Sequence, residues 1–376
     1  MNSPIWEDAP GPVLPRLQGT QRADVVVVGL GGSGLSALEE LRRRGIEAVG
    51  LDAGTVGGGA AGRNGGFVLA GLAKFFDETV GQCGPVLATA MYRATVDEIA
   101  RWAGEWPELV RVTGSLRIAA DADEEAQCHR HLTALEKAGL PGSAYRGPEG
   151  TGLLLPTDGV TQPLQRVRAL AGRLRRDGVR LYENSPVRRL LAGQVITDEG
   201  TILCDSVIVA VDGRLEAIFP ELTGRVRTAR LQMLATAPAP EVHFFRPVYW
   251  RHGYEYWQQR PDGCLALGGF RDHALEQEWT SAAEPTELIQ GLLERFLREK
   301  LGVRAAVTHR WAASVGYTPD GLPVLDEVRP RIWAVGGYNG TGNIVGALSA
   351  RAAATIVSGG RSEWAEMIER ARERTR

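Results

Sequence analysis

A run of four valines followed by a glycine-rich turn constrains this chain more than any other feature. Residues 24–29, Asp-Val-Val-Val-Val-Gly, have the unbroken β-branched character of a parallel strand that is buried on both faces. A glycine turn over residues 29–34 follows, then a helix predicted over 35–44 and a second strand over 46–51 that ends at Asp52. This order predicts a dinucleotide-binding βαβ unit.

Each glycine of this first turn has a physical role. Gly29 allows a tight turn, Gly31 lets the main chain approach a pyrophosphate, and Gly34 lets helix and strand pack closely. The start of the helix offers unpaired N–H groups and the positive end of its dipole to the phosphates. Asp52, about twenty residues beyond the turn, can accept hydrogen bonds from an adenosine ribose. The predicted dinucleotide contacts here are Gly29, Gly31, Gly32, Ser33, Gly34, Asp52 and Ala53.

Composition narrows the class of protein. The chain has 376 residues, 44% of them hydrophobic and 23% charged, and a formal net charge of −2, which argues against nucleic acid or a membrane surface as a main partner. Its four cysteines are scattered without metal-like spacing, so we predict no metal site and reduced thiols. There is no secretory signal pattern and no apolar run long enough to span a membrane, so we expect a cytoplasmic protein.

Two further segments carry glycine turns. Residues 56–66 read VGGGAAGRNGG, and residues 336–342 read GGYNGTG and lead into a helix predicted over 343–358. These turns lie in two of three separated segments, residues 25–66, 159–211 and 311–359, that together resemble the D-amino-acid oxidase-like FAD-dependent oxidoreductases, a superfamily that includes sarcosine oxidase and glycine oxidase. The SPIWED leader, the GRNGG motif and the WAA…TPDGLP stretch look most like its gamma-glutamylputrescine oxidoreductases.

The resemblance implies the fold class and the domain boundaries. It implies an α/β protein in which a Rossmann-like FAD-binding domain carries an inserted α+β substrate domain. The boundaries that we predict are 1–82, 150–226 and 310–376 for the discontinuous FAD-binding domain, and 83–149 and 227–309 for the substrate domain. Four strand candidates between residues 230 and 270 indicate that the substrate domain is built on an antiparallel sheet.

The resemblance also implies further contacts with FAD. In such flavoproteins the second loop runs beside the pyrophosphate, a valine gives its main chain to the adenine, and the last turn faces the N1/O2 edge of the flavin. Ala313 stands near the place where sarcosine oxidase attaches its flavin to a cysteine, so we expect non-covalent FAD. Asp212 stands where Asn or Gly is more usual. The matching residues are Gly62, Arg63, Asn64, Gly65, Gly66, Val187, Ala210, Gly337, Asn339, Gly340, Thr341, Gly342 and Asn343.

The implied chemistry is oxidation of a C–N bond of a primary or secondary amine. A hydride passes to flavin N5, the imine is hydrolysed, and O2 or a quinone reoxidises the cofactor. Val315 and Ile344 stand where glycine oxidase and sarcosine oxidase carry an Arg and a Lys for the substrate carboxylate. This favours an amine as the substrate. The alternative is a D-amino acid or N-methyl amino acid, held by another arginine such as Arg251 or Arg271.

Three side chains are candidate catalytic residues. Strand alternation predicts that Trp250, His252, Tyr254 and Tyr256 share one face of the sheet, toward a substrate cavity. His252, Tyr254 and Tyr256 are the proposed cavity residues, and a histidine can take up a proton near neutral pH. The alternative is that these residues only pack the sheet.

Other functional classes stay open at this point. The protein could be a flavin-dependent RNA-modification enzyme, although the chain has no basic excess. It could be a non-catalytic FAD-binding partner subunit, as in heteromeric sarcosine oxidases, or a hydroxylase that uses NADPH.

Overall fold

The computed structural model describes residues 2–7 and 10–375 and divides into two compact units. Residues 10–62, 164–228 and 315–375 form the parallel-sheet unit, and residues 2–7, 63–163 and 229–314 form the antiparallel-sheet unit. The second unit includes residues 63–82 and 150–163, which the sequence-based boundaries assign to the FAD-binding domain. These two segments belong to the same unit because they pair with each other in a short sheet, Phe67–Val68 with Gly159–Thr161.

The parallel-sheet unit is built on a six-stranded sheet that contains the predicted βαβ unit. The strands at its centre are continuous valine-rich runs, and Val26 and Val27 are fully buried. All neighbouring pairs are parallel except the last. In spatial order the strands are Arg180–Tyr182, Ala48–Leu51, Val25–Val28, Ser206–Val209, Ile332–Gly336 and Val324–Arg329.

Helices and a smaller sheet complete this unit. Helix Gly32–Arg43 follows the first glycine turn, and helix Ile344–Val357 follows the last one. These two helices pack along each other. The helices are Gly32–Arg43, Pro163–Arg176, Leu215–Ile218, Ile344–Val357 and Glu363–Glu373. The smaller sheet has the order Gly19–Arg22, Gly200–Leu203, Gln194–Thr197 and Val187–Leu191.

The antiparallel-sheet unit is built on an eight-stranded sheet, and the four strand candidates between residues 230 and 270 all lie in it. One central pair, Val248–Trp250 with Ser115–Ile118, is parallel. The order is Val307–Tyr317, Arg227–Pro238, Cys264–Gly269, Glu255–Gln259, Val248–Trp250, Ser115–Ile118, Gly150–Leu155 and Ser143–Gly147. The helices of this unit are Phe76–Cys83, Pro85–Glu105, Ala122–Lys137, Leu275–Glu278 and Glu287–Glu299. A three-stranded sheet has the order Phe67–Val68, Gly159–Thr161 and Val110–Arg111.

The predicted alternation from Trp250 to Tyr256 is wrong. A 3₁₀ turn, Arg251–Gly253, separates the two strands, and His252 has left-handed dihedral angles with φ 55°. The chain therefore reverses between Trp250 and Tyr256. Trp250 packs on Phe296, whereas Tyr256 lies beside Tyr249 on the neighbouring strand.

The described part of the N-terminal leader lies on the antiparallel-sheet unit. Trp6 is 1% exposed, its Nε1 donates to the carbonyl of Asn64 at 2.9 Å, and its own carbonyl accepts from Gln162. Within residues 2–7 and 10–375, no helix is both long enough and apolar enough to cross a bilayer.

Candidate functional site

The first glycine turn has the geometry of a phosphate-binding loop. A Cβ on Gly34 would lie 1.8 Å from the carbonyl oxygen of Gly29, so helix and strand require glycine there. A Cβ on Gly31 would meet only the Cβ of Ala61, at 3.2 Å. Protein packing therefore does not explain Gly31, and its open face is the kind of surface that lets a pyrophosphate approach the main chain.

The helix that follows is suited to an anion. Gly31 is its N-cap and gives no side-chain hydrogen bond, and the first turn carries no acidic residue. The first N–H groups of a helix have no partner within the helix, and the dipole adds positive charge there. This end of Gly32–Arg43 fits a phosphate group.

Asp52 closes the loop through both oxygens of its side chain. Its Oδ2 accepts from the N–H of Leu30 at 2.7 Å and its Oδ1 from the N–H of Gly54 at 2.8 Å. Burial raises the pKa of this carboxyl. A carboxylate oxygen can accept more than one hydrogen bond, so both oxygens can still receive ribose hydroxyls.

A cavity of about 190 Å³ continues from this point in the same unit. Ala53, next to Asp52, is part of its lining, and so are Pro186 and Thr197. Val187 follows Pro186 and pairs with Thr197 in the small sheet. The structure thus brings together the residues predicted for the adenosine end of the cofactor.

The last glycine turn is held by its own side chains. The amide of Asn339 donates to the carbonyl of Gly337 at 2.9 Å and accepts from the N–H of Thr318 at 2.9 Å. Thr341 donates to the carbonyl of Tyr338 at 2.7 Å. A Cβ on Gly340 would meet nothing within 4 Å, so this glycine lies at an open part of the turn before helix Ile344–Val357.

Asp212, which lies just beyond the end of the neighbouring strand Ser206–Val209, fixes this turn. Its Oδ1 accepts from the N–H of Tyr338 at 3.1 Å and its Oδ2 from the N–H of Gly316 at 3.3 Å. Burial raises its pKa to about 6 despite these bonds. Nearby, the carbonyl of Ala210 would lie 2.6 Å from a Cβ on Gly29, so this predicted contact residue also restricts the first turn.

In the second glycine loop, the two polar side chains have structural partners. The Arg63 guanidinium donates to the main-chain and side-chain oxygens of Asn2 and to the carbonyl of Ala312, at 2.8 to 3.0 Å. Burial lowers its pKa. The Asn64 Oδ1 accepts from the N–H of Gly66 at 2.8 Å. The side chains of Arg63 and Asn64 therefore set the shape of the loop.

The three candidate catalytic residues have different surroundings. Tyr256 is half-buried, and a Cβ on Gly65 or on Gly268 would come within 3.2 Å of its ring, so these glycines make room for it. His252 is exposed in the turn, and Tyr254 lies under the Arg251 guanidinium, 5.2 Å away.

Sequence reasoning missed Tyr249. Its ring lies 5.9 Å from the ring of Tyr256 and 5.0 Å from that of Phe67. The strand pairing that places Tyr249 opposite Tyr256 depends on the turn at residues 251–253, which the sequence pattern did not reveal.

The glycine turns described above lie within the part of the chain that matches a known protein family. A family model described as FAD dependent oxidoreductase (DAO) matches residues 24–356. The chain belongs to the DAO family of FAD-dependent oxidoreductases. It is therefore an enzyme that acts on amines or amino acids, and the predicted family, α/β fold class and FAD dependence are confirmed.

Three named proteins are similar to this chain over most of its length. A probable oxidoreductase, OrdL, from Rhizobium meliloti (strain 1021) is 28% identical, over 88% of this chain and 82% of its own length. The gamma-glutamylputrescine oxidoreductase of Escherichia coli (strain K12) is 26% identical, over 89% and 84% respectively. The crystal structure of L-proline dehydrogenase from P. horikoshii is 20% identical with a TM-score of 0.74, over 93% and 96%, which shows a shared fold.

Proposed function

We propose that this enzyme oxidises the C–N bond of an amine that carries no carboxylate beside that bond. The observation that carries the proposal is the apolar character of Val315 and Ile344. Both are buried in the parallel-sheet unit, 9% and 1% exposed. By resemblance they occupy the places of the Arg and Lys that bind the substrate carboxylate in glycine oxidase and sarcosine oxidase. Neither side chain can form a hydrogen bond or an ion pair.

The second-domain arginines give the amino-acid alternative little support. Arg251 forms bidentate contacts with Glu255 and with Asp272, so its charge is already balanced by two carboxylates. These partners hold its pKa well above the usual range. The Arg271 guanidinium stacks on the ring of Trp279 at 4.7 Å.

The name of the Escherichia coli relative suggests the substrate class. That protein is a gamma-glutamylputrescine oxidoreductase, and at 26% identity we extend to this chain only a class of compound, the gamma-glutamylated amines. In such a compound the α-carboxylate is far from the oxidised C–N bond, which agrees with apolar residues at 315 and 344.

Within the enzyme, the first turn, Asp52 and the last turn hold FAD, which when bound accepts the hydride released by the amine. We propose that it is held without a covalent bond, since Ala313 has no reactive atom, and that O2 or a quinone reoxidises it. Tyr256, whose ring lies against Gly65, orients the amine, and the candidates for proton transfer are His252, in the turn at 251–253, and Tyr254, which follows that turn.

The test is anaerobic bleaching of the flavin absorbance, followed by stopped flow. The panel contains gamma-glutamylated amines, polyamines, N-methyl amino acids, and D- and L-amino acids. We expect fast reduction by an amine without an α-carboxylate, slowed by Tyr256→Leu and, if His252 takes the proton, by His252→Ala. Reduction by α-amino acids alone would overturn the proposal. A flavin that no amine or amino acid reduces would instead favour the non-catalytic partner subunit.

A further inference from the structure

The N-terminal leader of the antiparallel-sheet unit is a buried segment that the proposed function does not use. Its residues 2–7 belong to that unit, and both Ile5 and Trp6 are buried. These residues lie outside the helices and the named strands, apart from a bridge between Asn2 and Arg310. The position of the leader therefore depends on side-chain packing and hydrogen bonds, and several of these involve the second glycine loop.

Three consecutive carbonyl oxygens of this loop, those of residues 63–65, accept hydrogen bonds from side-chain N–H groups. The three donors are buried, and they belong to the leader and to two different strands of the eight-stranded sheet. An indole has a single polar hydrogen and no acceptor, so a buried Trp fixes the direction of the carbonyl group that it binds. The bonds run from Trp311 Nε1 to the Arg63 oxygen at 2.8 Å, from Trp6 Nε1 to the Asn64 oxygen at 2.9 Å, and from the Gln258 amide to the Gly65 oxygen.

These donors matter because the loop has little regular structure of its own. Residues 63–66 lie outside the helices and strands, and the last two are glycines, which can adopt many main-chain conformations. Gly66 has φ 73°, and its carbonyl accepts from the N–H of Thr161 at 2.7 Å. The directions of the three peptide groups before it depend on side chains from distant parts of the sequence. Among the three donors, Trp6 is the one that the leader supplies.

The leader and the loop stabilise each other. In the opposite direction to the bond from Trp6, the Arg63 guanidinium donates to the main-chain oxygen of Asn2 at 2.8 Å and to its side-chain oxygen at 3.0 Å. The carbonyl of Trp6 accepts from the amide of Gln162 at 2.8 Å. The Arg260 guanidinium lies 5.4 Å from the centre of the Trp6 ring. Trp6 is therefore held through its main chain, through the face of its ring and through its indole N–H.

The loop is in direct contact with Tyr256. A Cβ on Gly65 would lie 3.2 Å from two carbons of the Tyr256 ring, so this ring packs against the main chain of Gly65. Gln258, which binds the Gly65 carbonyl, is two residues beyond Tyr256 in strand Glu255–Gln259, and alternate residues of a strand share a face. A change in the direction of the Asn64 carbonyl would therefore move Gly65 relative to the Tyr256 ring.

We propose that Trp6 is a positioning residue for amine oxidation. Its indole N–H fixes the peptide group between Asn64 and Gly65, and Gly65 in turn fixes the ring of Tyr256, which orients the amine. The inference rests on the proposed function, in which Tyr256 has that role, and it extends the support of the site to the N-terminal leader. A leader that only covered the surface of the unit would not affect the orientation of the substrate.

The first test needs no substrate and uses the FAD-loaded protein. Trp6→Phe keeps an aromatic ring and removes the indole N–H. We expect trypsin to cleave after Arg63 about 5- to 10-fold faster in this variant, because the loop opens more often when one hydrogen bond is lost. With fluorotyrosine incorporated, the fluorine NMR signal of Tyr256, assigned with Tyr256→Phe, should also shift. An unchanged signal would overturn the proposal whatever the rate of cleavage, because Trp6 would then not position Tyr256.

Two further variants complete this test. Trp364→Phe is the matched control, because the buried Trp364 indole donates to the hydroxyl of Ser349 at 3.0 Å instead of to the loop. It should match the parent in cleavage after Arg63 and in the Tyr256 signal. Asn2→Ala removes an oxygen that accepts from Arg63, so it should change both readouts in the same direction as Trp6→Phe. It also provides the answer if Trp6→Phe does not fold.

The second test is anaerobic stopped flow with the amine that reduces the parent flavin fastest. We expect Trp6→Phe to lower the limiting rate of flavin reduction about 10- to 100-fold, as for a misplaced substrate, and to change the apparent Kd of the amine less. In a Tyr256→Leu background the same substitution should have no further effect, because both changes act on one contact. An equal loss in both backgrounds would overturn the proposal. A parent flavin that no amine reduces would instead overturn the proposed function, and the fluorine signal would still decide whether Trp6 positions Tyr256.

Discussion

At the scale of the residue, Asp212 shows how a departure from a family pattern can be structural. The family more usually has Asn or Gly there, and the sequence could not say what the extra charge does. In the structure its oxygens accept main-chain N–H groups that include those of Tyr338 and Gly316, so the carboxylate joins segments that are distant in sequence. The pKa still rises to about 6, because burial outweighs these hydrogen bonds.

This carboxyl should make stability depend on pH. Between its ordinary pKa of 3.8 and about 6, native Asp212 holds a proton that the unfolded chain has lost, so the free energy of unfolding falls as pH rises through that window. Asp212→Asn removes this term. We expect the variant to gain about 1 kcal/mol relative to the parent between pH 5 and pH 7, measured by urea unfolding of the flavin-free protein. A difference that does not change with pH would contradict the raised pKa.

Other single residues show what sequence could and could not provide. The spacing of Gly29, Gly31, Gly34 and Asp52 predicted a strand, a turn and an acid, and the structure has them at those positions. The partners of Arg63 were not predictable in the same way. Its guanidinium binds carbonyl groups 61 and 249 residues away, and pairing at such separation depends on the complete fold.

At the scale of the element, the first turn contains glycines that are needed for two different reasons. Gly34 is needed for close packing of helix and strand, and Gly31 for the approach of a pyrophosphate. Gly34→Ala would place a methyl group 1.8 Å from a carbonyl oxygen, so strand and helix must move apart, at a cost of about 3 kcal/mol or more. Gly31→Ala meets only one side-chain carbon, at 3.2 Å, and should leave the unfolding free energy of the apoprotein within about 1 kcal/mol of the parent.

The same substitution at Gly31 should lower FAD affinity at least about tenfold, since the methyl group occupies the face that a pyrophosphate would approach. Urea unfolding and FAD titration of both variants make the comparison. Gly104→Ala is the control, because this exposed glycine in helix Pro85–Glu105 has open space at its Cβ. If Gly31→Ala were destabilised as much as Gly34→Ala with unchanged FAD affinity, the open face would have another role.

The strands around residue 252 show where a prediction from strand alternation fails. Alternation located both strands around residue 252, but it assumed one continuous strand and so put Trp250 and Tyr256 on one face. Left-handed dihedral angles at Arg251 and His252 reverse the chain there. Neither residue is the glycine or asparagine that usually signals such a turn, so the pairing of Tyr249 with Tyr256 could not be predicted from the sequence.

At the scale of the whole molecule, both units are assembled from three separate segments of chain. The first and last glycine turns, with Asp52 and Asp212, fall in the parallel-sheet unit, while residues 63–66 of the second glycine loop and Tyr256 fall in the antiparallel-sheet unit. The sequence predicted a division of this kind, because the βαβ pattern stops and resumes. The predicted boundaries differ from those of the two units at residues 63–82 and 150–163, where two-residue and three-residue strands carry too little pattern to be recognised.

At the same scale, we predict that FAD is bound without a covalent bond and stabilises the whole native protein. No cysteine stands at Ala313, so FAD should separate from the denatured chain: acid precipitation should leave the yellow colour in the supernatant. Because FAD then binds only the native state, adding it to the apoprotein at 100 times its Kd should stabilise the fold by about 2.7 kcal/mol, read as a higher thermal midpoint. Riboflavin lacks both the pyrophosphate and the adenosine for which the first turn and Asp52 are suited, and it should give a much smaller shift. Colour that precipitates with the protein would show that FAD is bound covalently, through a residue other than Ala313.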